Sequence, residues 1–190
     1  NLMKLSTTAF LEGFYYRPRI DYDLLEAHHE GLICTTACLA GDVPSLLLAG
    51  QDKKALELVL RLKNIFGPDF YIELQNHGIR EQQIVLPKLV ELAKQAGVRT
   101  VATNDVHYVR REDAQAQDVL LCVQTNRFVD EEDRMRMQGE EFYLKSAEEM
   151  RTALYDYPEA LDVTGQIADQ CEVEIEFGHT HLPGYRAPEG

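Results

Sequence analysis

The sequence predicts an α/β fold built on mostly parallel strands, and two observations carry that expectation. Between residues 31 and 103, short apolar runs alternate with amphipathic segments in the order strand, helix, strand, helix, strand. Repeated βα units of this length imply parallel strands joined by right-handed crossovers. Each predicted strand is also followed by a loop carrying residues unusual in a plain connector: Cys38, then His77, then Asp105 and His107. In sheets and barrels of this class the loops at the carboxyl ends of the strands open on one rim, where chemistry is held.

The elements follow in order. Residues 5–16 carry apolar side chains at helical spacing, with Ser6 as the cap, and Arg17-Pro18-Arg19 breaks the helix. Residues 21–28 predict a second short helix that starts on Asp21. Gly31-Leu-Ile-Cys34 reads as a short buried strand, and Thr35 to Gly41 as a loop of small residues. Residues 52–66 repeat apolar positions at three and four and predict a strong helix, which Gly67-Pro68-Asp69 ends. Phe70-Tyr-Ile-Glu-Leu74 is a β-branched and aromatic strand followed by the loop Gln75-Asn-His-Gly78. Residues 81–95 predict an amphipathic helix stopped by Gly97, and residues 99–103 the third strand. Beyond it, residues 112–124 are helical and residues 130–139 form a charged loop. Ser146-Ala-Glu-Glu149 is a capping box opening a helix to about Leu154, and Pro158 starts another that reaches Cys171. Residues 173–177 alternate as an edge strand would.

Composition narrows the function. With 190 residues, 45% of them hydrophobic, the chain can bury one substantial core. No apolar run approaches the roughly 18 residues needed to span a bilayer, so no membrane association is expected. No signal peptide is legible, and the first residue is Asn rather than Met, which points to a piece of something longer or a processed product. Four scattered cysteines suit a reducing cytoplasm. A formal charge of −13 argues against a module that binds nucleic acid by itself. It is compatible with metal binding, with a basic protein partner, or with DNA held mainly by other domains.

Thr103-Asn-Asp-Val-His-Tyr108 is the most informative stretch. Side chains two apart in an extended segment point the same way, so Asp105 and His107 form an oxygen and nitrogen donor pair. Such a pair suits Zn, Mn or Fe better than Ca. The plainer reading is an aspartate capping the next turn beside a surface histidine. Cys34-x-x-x-Cys38 lacks a second Cys/His pair at zinc-finger distance and is not read as structural zinc. Arg110 and Arg111 could meet a phosphate or simply solvate a helix start. Arg127, Arg134 and Arg136 are expected to pair with the acids at 130–133. His28 and His29 read as surface residues at a helix end, and His179-x-His181 as part of a solvated linker.

Four stretches, in this order, carry a family resemblance: Asn1-Leu-Met-Lys-Leu with Leu11-Glu-Gly-Phe-Tyr-Tyr; Glu30-Gly-Leu-Ile with Ala37-Cys-Leu-Ala-Gly; Phe70-Tyr-Ile-Glu-Leu-Gln-Asn-His-Gly; and Val101-Ala-Thr-Asn-Asp-Val-His-Tyr. Together with Lys145-Ser-Ala-Glu-Glu-Met and Leu182-Pro-Gly-Tyr, they resemble the PHP (polymerase and histidinol phosphatase) domain of the bacterial DNA polymerase III alpha subunit. The resemblance implies a distorted (β/α)7 barrel, present here in part, with residues 1–177 forming its C-terminal two-thirds and residues 178–190 a linker toward a palm domain. It implies a rim with up to three divalent ions, Zn or Mn. It assigns Cys38, Asp105 and His107 as metal ligands by motif, with His77 and Arg110 as candidates to stand behind the ligands or to bind substrate.

The same resemblance implies a part of the replicative DNA polymerase, working with that polymerase's remaining domains, with DNA and with a proofreading exonuclease subunit. In this family the domain either keeps a metal-dependent 3′–5′ exonuclease or serves as a docking platform for the separate exonuclease. The family's first ligands, a His-x-His strand and a later Asp-His pair, have no counterpart here. The chain is therefore expected to begin inside the barrel, after roughly the first third.

Overall fold

In the computed structural model, which describes residues 1–180, 182 and 184, the chain opens with helix α1 (Leu2–Leu11) and helix α2 (Tyr22–Ala27). Strand β1 (Cys34–Thr35), helices α3 (Asp42–Leu48) and α4 (Asp52–Phe66), strand β2 (Phe70–Leu74), helix α5 (Arg80–Ala96) and strand β3 (Arg99–Ala102) then alternate. Helices α6 (Ala114–Thr125), α7 (Ala147–Ala153) and α8 (Pro158–Gln170) complete the described elements. Short 3-10 turns at Gly67–Asp69 and Arg111–Asp113 lead into β2 and α6.

The three strands form one parallel sheet in the order β1, β2, β3. Cys34 faces Phe70 across the first pair, and Leu74 faces Ala102 across the second. Central β2 is buried at every position, as a parallel strand covered on both faces must be. Its pleat sends Phe70, Ile72 and Leu74 into the main core with Ala55 and Val59 of α4 and Val85 and Leu89 of α5. Tyr71, on the opposite face, packs with Val101 of β3 and Val163 of α8. The sheet is open, as expected of a partial barrel. No helix among the described residues is long and apolar enough to cross a membrane.

Most predicted elements stand where periodicity put them, and α4 and β2 match to the residue. Gly97, with φ of +60°, ends α5 in the left-handed region that glycine tolerates. Asp21 caps α2 by accepting the Leu24 amide at 2.8 Å.

Several expectations need correcting. The first helix starts at Leu2, so Ser6 lies inside it and is no cap. It stops at Leu11 because the chain folds back at Gly13, where a Cβ would collide with the Arg19 carbonyl oxygen. The first strand comes later, at Cys34–Thr35, where the register with Phe70 and Tyr71 is available. Residues 42–48 form α3, which the sequence pattern does not announce; its buried Val43 and Leu47 pack on the core. Residues 173–177 form no strand, and Val173, Ile175 and Phe177 are exposed, since alternation without a neighbouring edge makes no ladder. Arg134 pairs with Asp118 of α6, with two contacts of 2.6 Å, and not with the 130–133 acids. Arg136 donates to the Glu131 and Val129 carbonyls, while Arg127 does meet Glu131 as expected. The linker expected over 178–190 falls largely outside the described residues, since 181, 183 and 185–190 are not among them.

The capping box at α7 sets a pH signature. Glu149 accepts the Ser146 backbone amide at 2.7 Å, the Ser146 hydroxyl at 2.8 Å and the Tyr143 hydroxyl at 2.7 Å. These bonds, the Ser146 amide first, pull its carboxyl from the usual 4.5 down to about 2. The unfolded chain therefore binds this proton first as pH falls. The contribution to stability is complete above 4.5 and is lost as pH drops through about 2. Melting temperature measured from pH 6 to pH 2 should fall more steeply for the native chain than for Glu149→Gln. Parallel profiles would refute this assignment.

Candidate functional site

The carboxyl ends of the three strands are tied together by one buried carboxylate. Glu73 of β2 accepts the Thr35 hydroxyl from β1 at 2.6 Å, the Gln75 side-chain amide at 2.9 Å, and the Thr103 hydroxyl from just beyond β3. Its own amide donates to the Thr36 hydroxyl at 2.9 Å. Gln75 also donates to the Thr103 hydroxyl at 3.1 Å. This junction fixes the spacing of the three rim loops. Its sequence signal is the single acid inside the apolar run Phe-Tyr-Ile-Glu-Leu.

From that junction the chain after β3 carries Asp105 and His107 side by side. The His107 Nδ1 lies 3.9 Å from an Asp105 carboxylate oxygen and 2.9 Å from the Asp105 carbonyl oxygen. Both side chains are a little over one-third exposed, at 37% and 38%, so both reach solvent. The His107 amide donates to the Phe142 carbonyl at 2.8 Å, and the Asn104 side chain donates to the Tyr143 carbonyl at 2.6 Å. The segment around Phe142 is thus the floor on which the pair rests.

His77, in the loop after β2, is buried behind that pair. Its ring stacks on Phe142 with centroids 4.4 Å apart and planes 10° from parallel, and His107 meets the same phenyl edge-on at 5.7 Å. Gln82 of α5 accepts the His77 backbone amide at 2.7 Å, and its side-chain nitrogen lies 2.7 Å from His77 Nδ1. The Asp105 amide lies 3.3 Å from Nε2. Burial, reinforced by the Lys145 ammonium, pushes the imidazole below its usual range.

The other sequence candidates sit apart from the pair. Cys38 lines a small cleft with Glu73, Gln75 and Gln82, so it shares the rim. Among the described residues no three His, Cys, Asp or Glu side chains come close enough to hold an ion. Asp105 and His107 are brought together, and Cys38 does not complete a three-ligand site with them. Burial pushes the Cys34 thiol up to about 11, so that neighbour does not supply a ready thiolate. The Arg110 amide donates to Asp113 at 3.0 Å, which makes it part of a helix start, and its side chain stays exposed. Arg111 pairs with Glu141 and lies 5.9 Å from the Tyr143 ring centre. His179 is exposed near Glu176, and His181 is outside the described residues. The donor chemistry of the rim, carboxylate oxygen and imidazole nitrogen, fits part of a Zn or Mn coordination sphere. Phe142, Asn104 and Gln82 support the site without any sequence signal of their own, because each acts through contacts distant in the chain.

Known proteins resemble this chain along its whole length. The PHP domain family matches residues 1–77. The DNA polymerase III subunit alpha of Borreliella burgdorferi is 49% identical over 189 residues, which is 99% of this chain and 16% of that protein. The subunits of Treponema pallidum and Thermus aquaticus are 46% and 41% identical, over 99% and 100% of this chain. The chain spans about 16% of the length of these relatives. On this full-length similarity, the chain belongs to the DNA polymerase III alpha subunit family, in the stretch of those proteins that carries the PHP domain.

Proposed function

We propose that the chain is part of a replicative DNA polymerase alpha subunit and that its rim contributes to a metal-dependent 3′–5′ exonuclease site. The observation that carries this is the solvent-reaching Asp105–His107 pair at the carboxyl end of β3, seated on Phe142. Asp105 would hold a divalent ion through its carboxylate. His107 would do so through Nε2, since Nδ1 faces the Asp105 carbonyl. Cys38, in the neighbouring loop, does not complete a three-ligand set with this pair, so the further ligands would come from elsewhere in the polymerase. A bound Zn or Mn ion of this kind lowers the pKa of coordinated water to about 7 and offsets phosphate charge. The Glu73 junction would hold the loops at constant spacing while a phosphodiester is positioned.

The test is metal content by plasma mass spectrometry on the whole polymerase subunit, with and without His107→Ala. Two or three ions per subunit, falling on substitution, is the expected result, together with loss of single-stranded DNA digestion. No metal above trace in the native subunit would sink the reading.

A second reading is favoured by one observation, the formal charge of −13. An acidic surface suits a protein partner better than DNA. On that reading the domain is a non-catalytic scaffold that docks the separate proofreading exonuclease. Unchanged digestion and unchanged exonuclease binding in a folded Cys38→Ala, Asp105→Asn double variant would support a relic site; lost digestion would exclude it.

A further inference from the structure

We propose that His77 is the positioning residue of the Asp105–His107 pair, setting it through the Asp105 amide and Phe142 and touching no ion itself. The inference rests on the metal reading above. Its geometry comes from the bonds around the ring.

Gln82 and the Asn104–Asp105 segment meet the two ring nitrogens of His77. Gln82 Oε1 takes the His77 N–H at 2.7 Å, which leaves the Gln82 nitrogen facing Nδ1 at 2.7 Å. Asn104 gives its nitrogen to the Tyr143 carbonyl at 2.6 Å, and the amide of the next residue, Asp105, lies 3.3 Å from His77 Nε2. Both nitrogens are therefore committed, and with 3% exposure the ring has no approach for a substrate or ion.

The contacts at Nε2 cross from the β2 loop to the β3 loop. Asn104 and the Asp105 amide stand immediately before the Asp105 carboxylate. Phe142 is held between the two imidazoles, face-on to His77 and edge-on to His107. A displacement of His77 thus reaches Asp105 through the backbone and His107 through the phenyl ring. Gln82, on α5, anchors the other side of the ring. Residues placed this way behind metal ligands fix ligand orientation.

The experiment compares the native polymerase subunit with His77→Phe, which keeps the stack on Phe142 and removes both nitrogens, and with Gln82→Leu. Zn2+ affinity is measured by competition with a chromophoric chelator. Amide hydrogen exchange is read at Asn104 and Asp105, and melting is recorded as a check on folding. Either variant should weaken Zn2+ binding by about 10–100-fold, the usual loss for an outer partner of a ligand. Exchange at Asn104 and Asp105 should quicken. The double variant should be no worse than either single one, because both act along one path. Native affinity and native exchange in a folded variant, or additive losses in the double one, would overturn the proposal. If the native subunit binds no Zn2+, the metal reading fails by itself, and exchange at Asp105 alone decides whether His77 positions the loop.

Discussion

Glu73→Ala is expected to be among the most damaging single substitutions in this chain, costing about 3 kcal/mol or more of folding stability. Glu73 is 9% exposed and its carboxylate takes hydrogen bonds from Thr35, Gln75 and Thr103, so truncation strands donors beside all three strands. Each buried group left without a partner costs roughly 1–3 kcal/mol, less whatever water can enter to satisfy it. For a domain whose total stability is of the order of 5–15 kcal/mol, that is a large fraction. Glu73→Gln keeps one carbonyl acceptor and should cost less than half as much. Urea unfolding, read as a fall in midpoint at constant slope, measures both. A loss under about 1 kcal/mol for Glu73→Ala would show that the junction does not hold the strands.

Ile72→Ala should cost about 2–5 kcal/mol, the range for deleting a large aliphatic side chain from a packed core. Ile72 is wholly buried on the central strand, with α4 and α5 packed on its side of the sheet. Strand β2 is hydrogen-bonded on both edges and has little room to collapse into the space. Phe177→Ser is the matched opposite. Phe177 is 87% exposed and outside any strand, and its replacement should change stability by under about 0.5 kcal/mol. Thermal melts of the two variants separate the cases. A costly Phe177→Ser would mean that residues 173–177 pair with something after all.

The comparison of these two residues shows where pattern is informative. Ile72 lies in an aromatic and aliphatic run, broken only by Glu73, that suits a doubly covered strand. Residues 173–177 alternate just as well, yet a strand needs a partner edge, and no local pattern supplies one. The capping box at Ser146 and the stop at Gly97 were legible for the opposite reason. Their bonds close within a few residues, so the chain carries the whole motif. Helix α3 was hidden by its length, because seven residues starting Asp-Val-Pro give too little period to read.

The site divides along the same line. Asp105 and His107 were legible because a two-residue spacing leaving a strand puts donors together whatever surrounds them. The parallel order of the sheet was legible as well, since crossovers of that length leave no other pairing. Tertiary structure alone decided that His77 faces inward, that Arg134 leaves its acidic neighbours for Asp118, and that Cys38 stands beside Glu73 and Gln75 short of completing a three-ligand set with the pair. Sequence determines contacts whose partners lie within one turn or one strand. Contacts between loops depend on where the packed sheet and helices bring them, and that is settled only when the core closes.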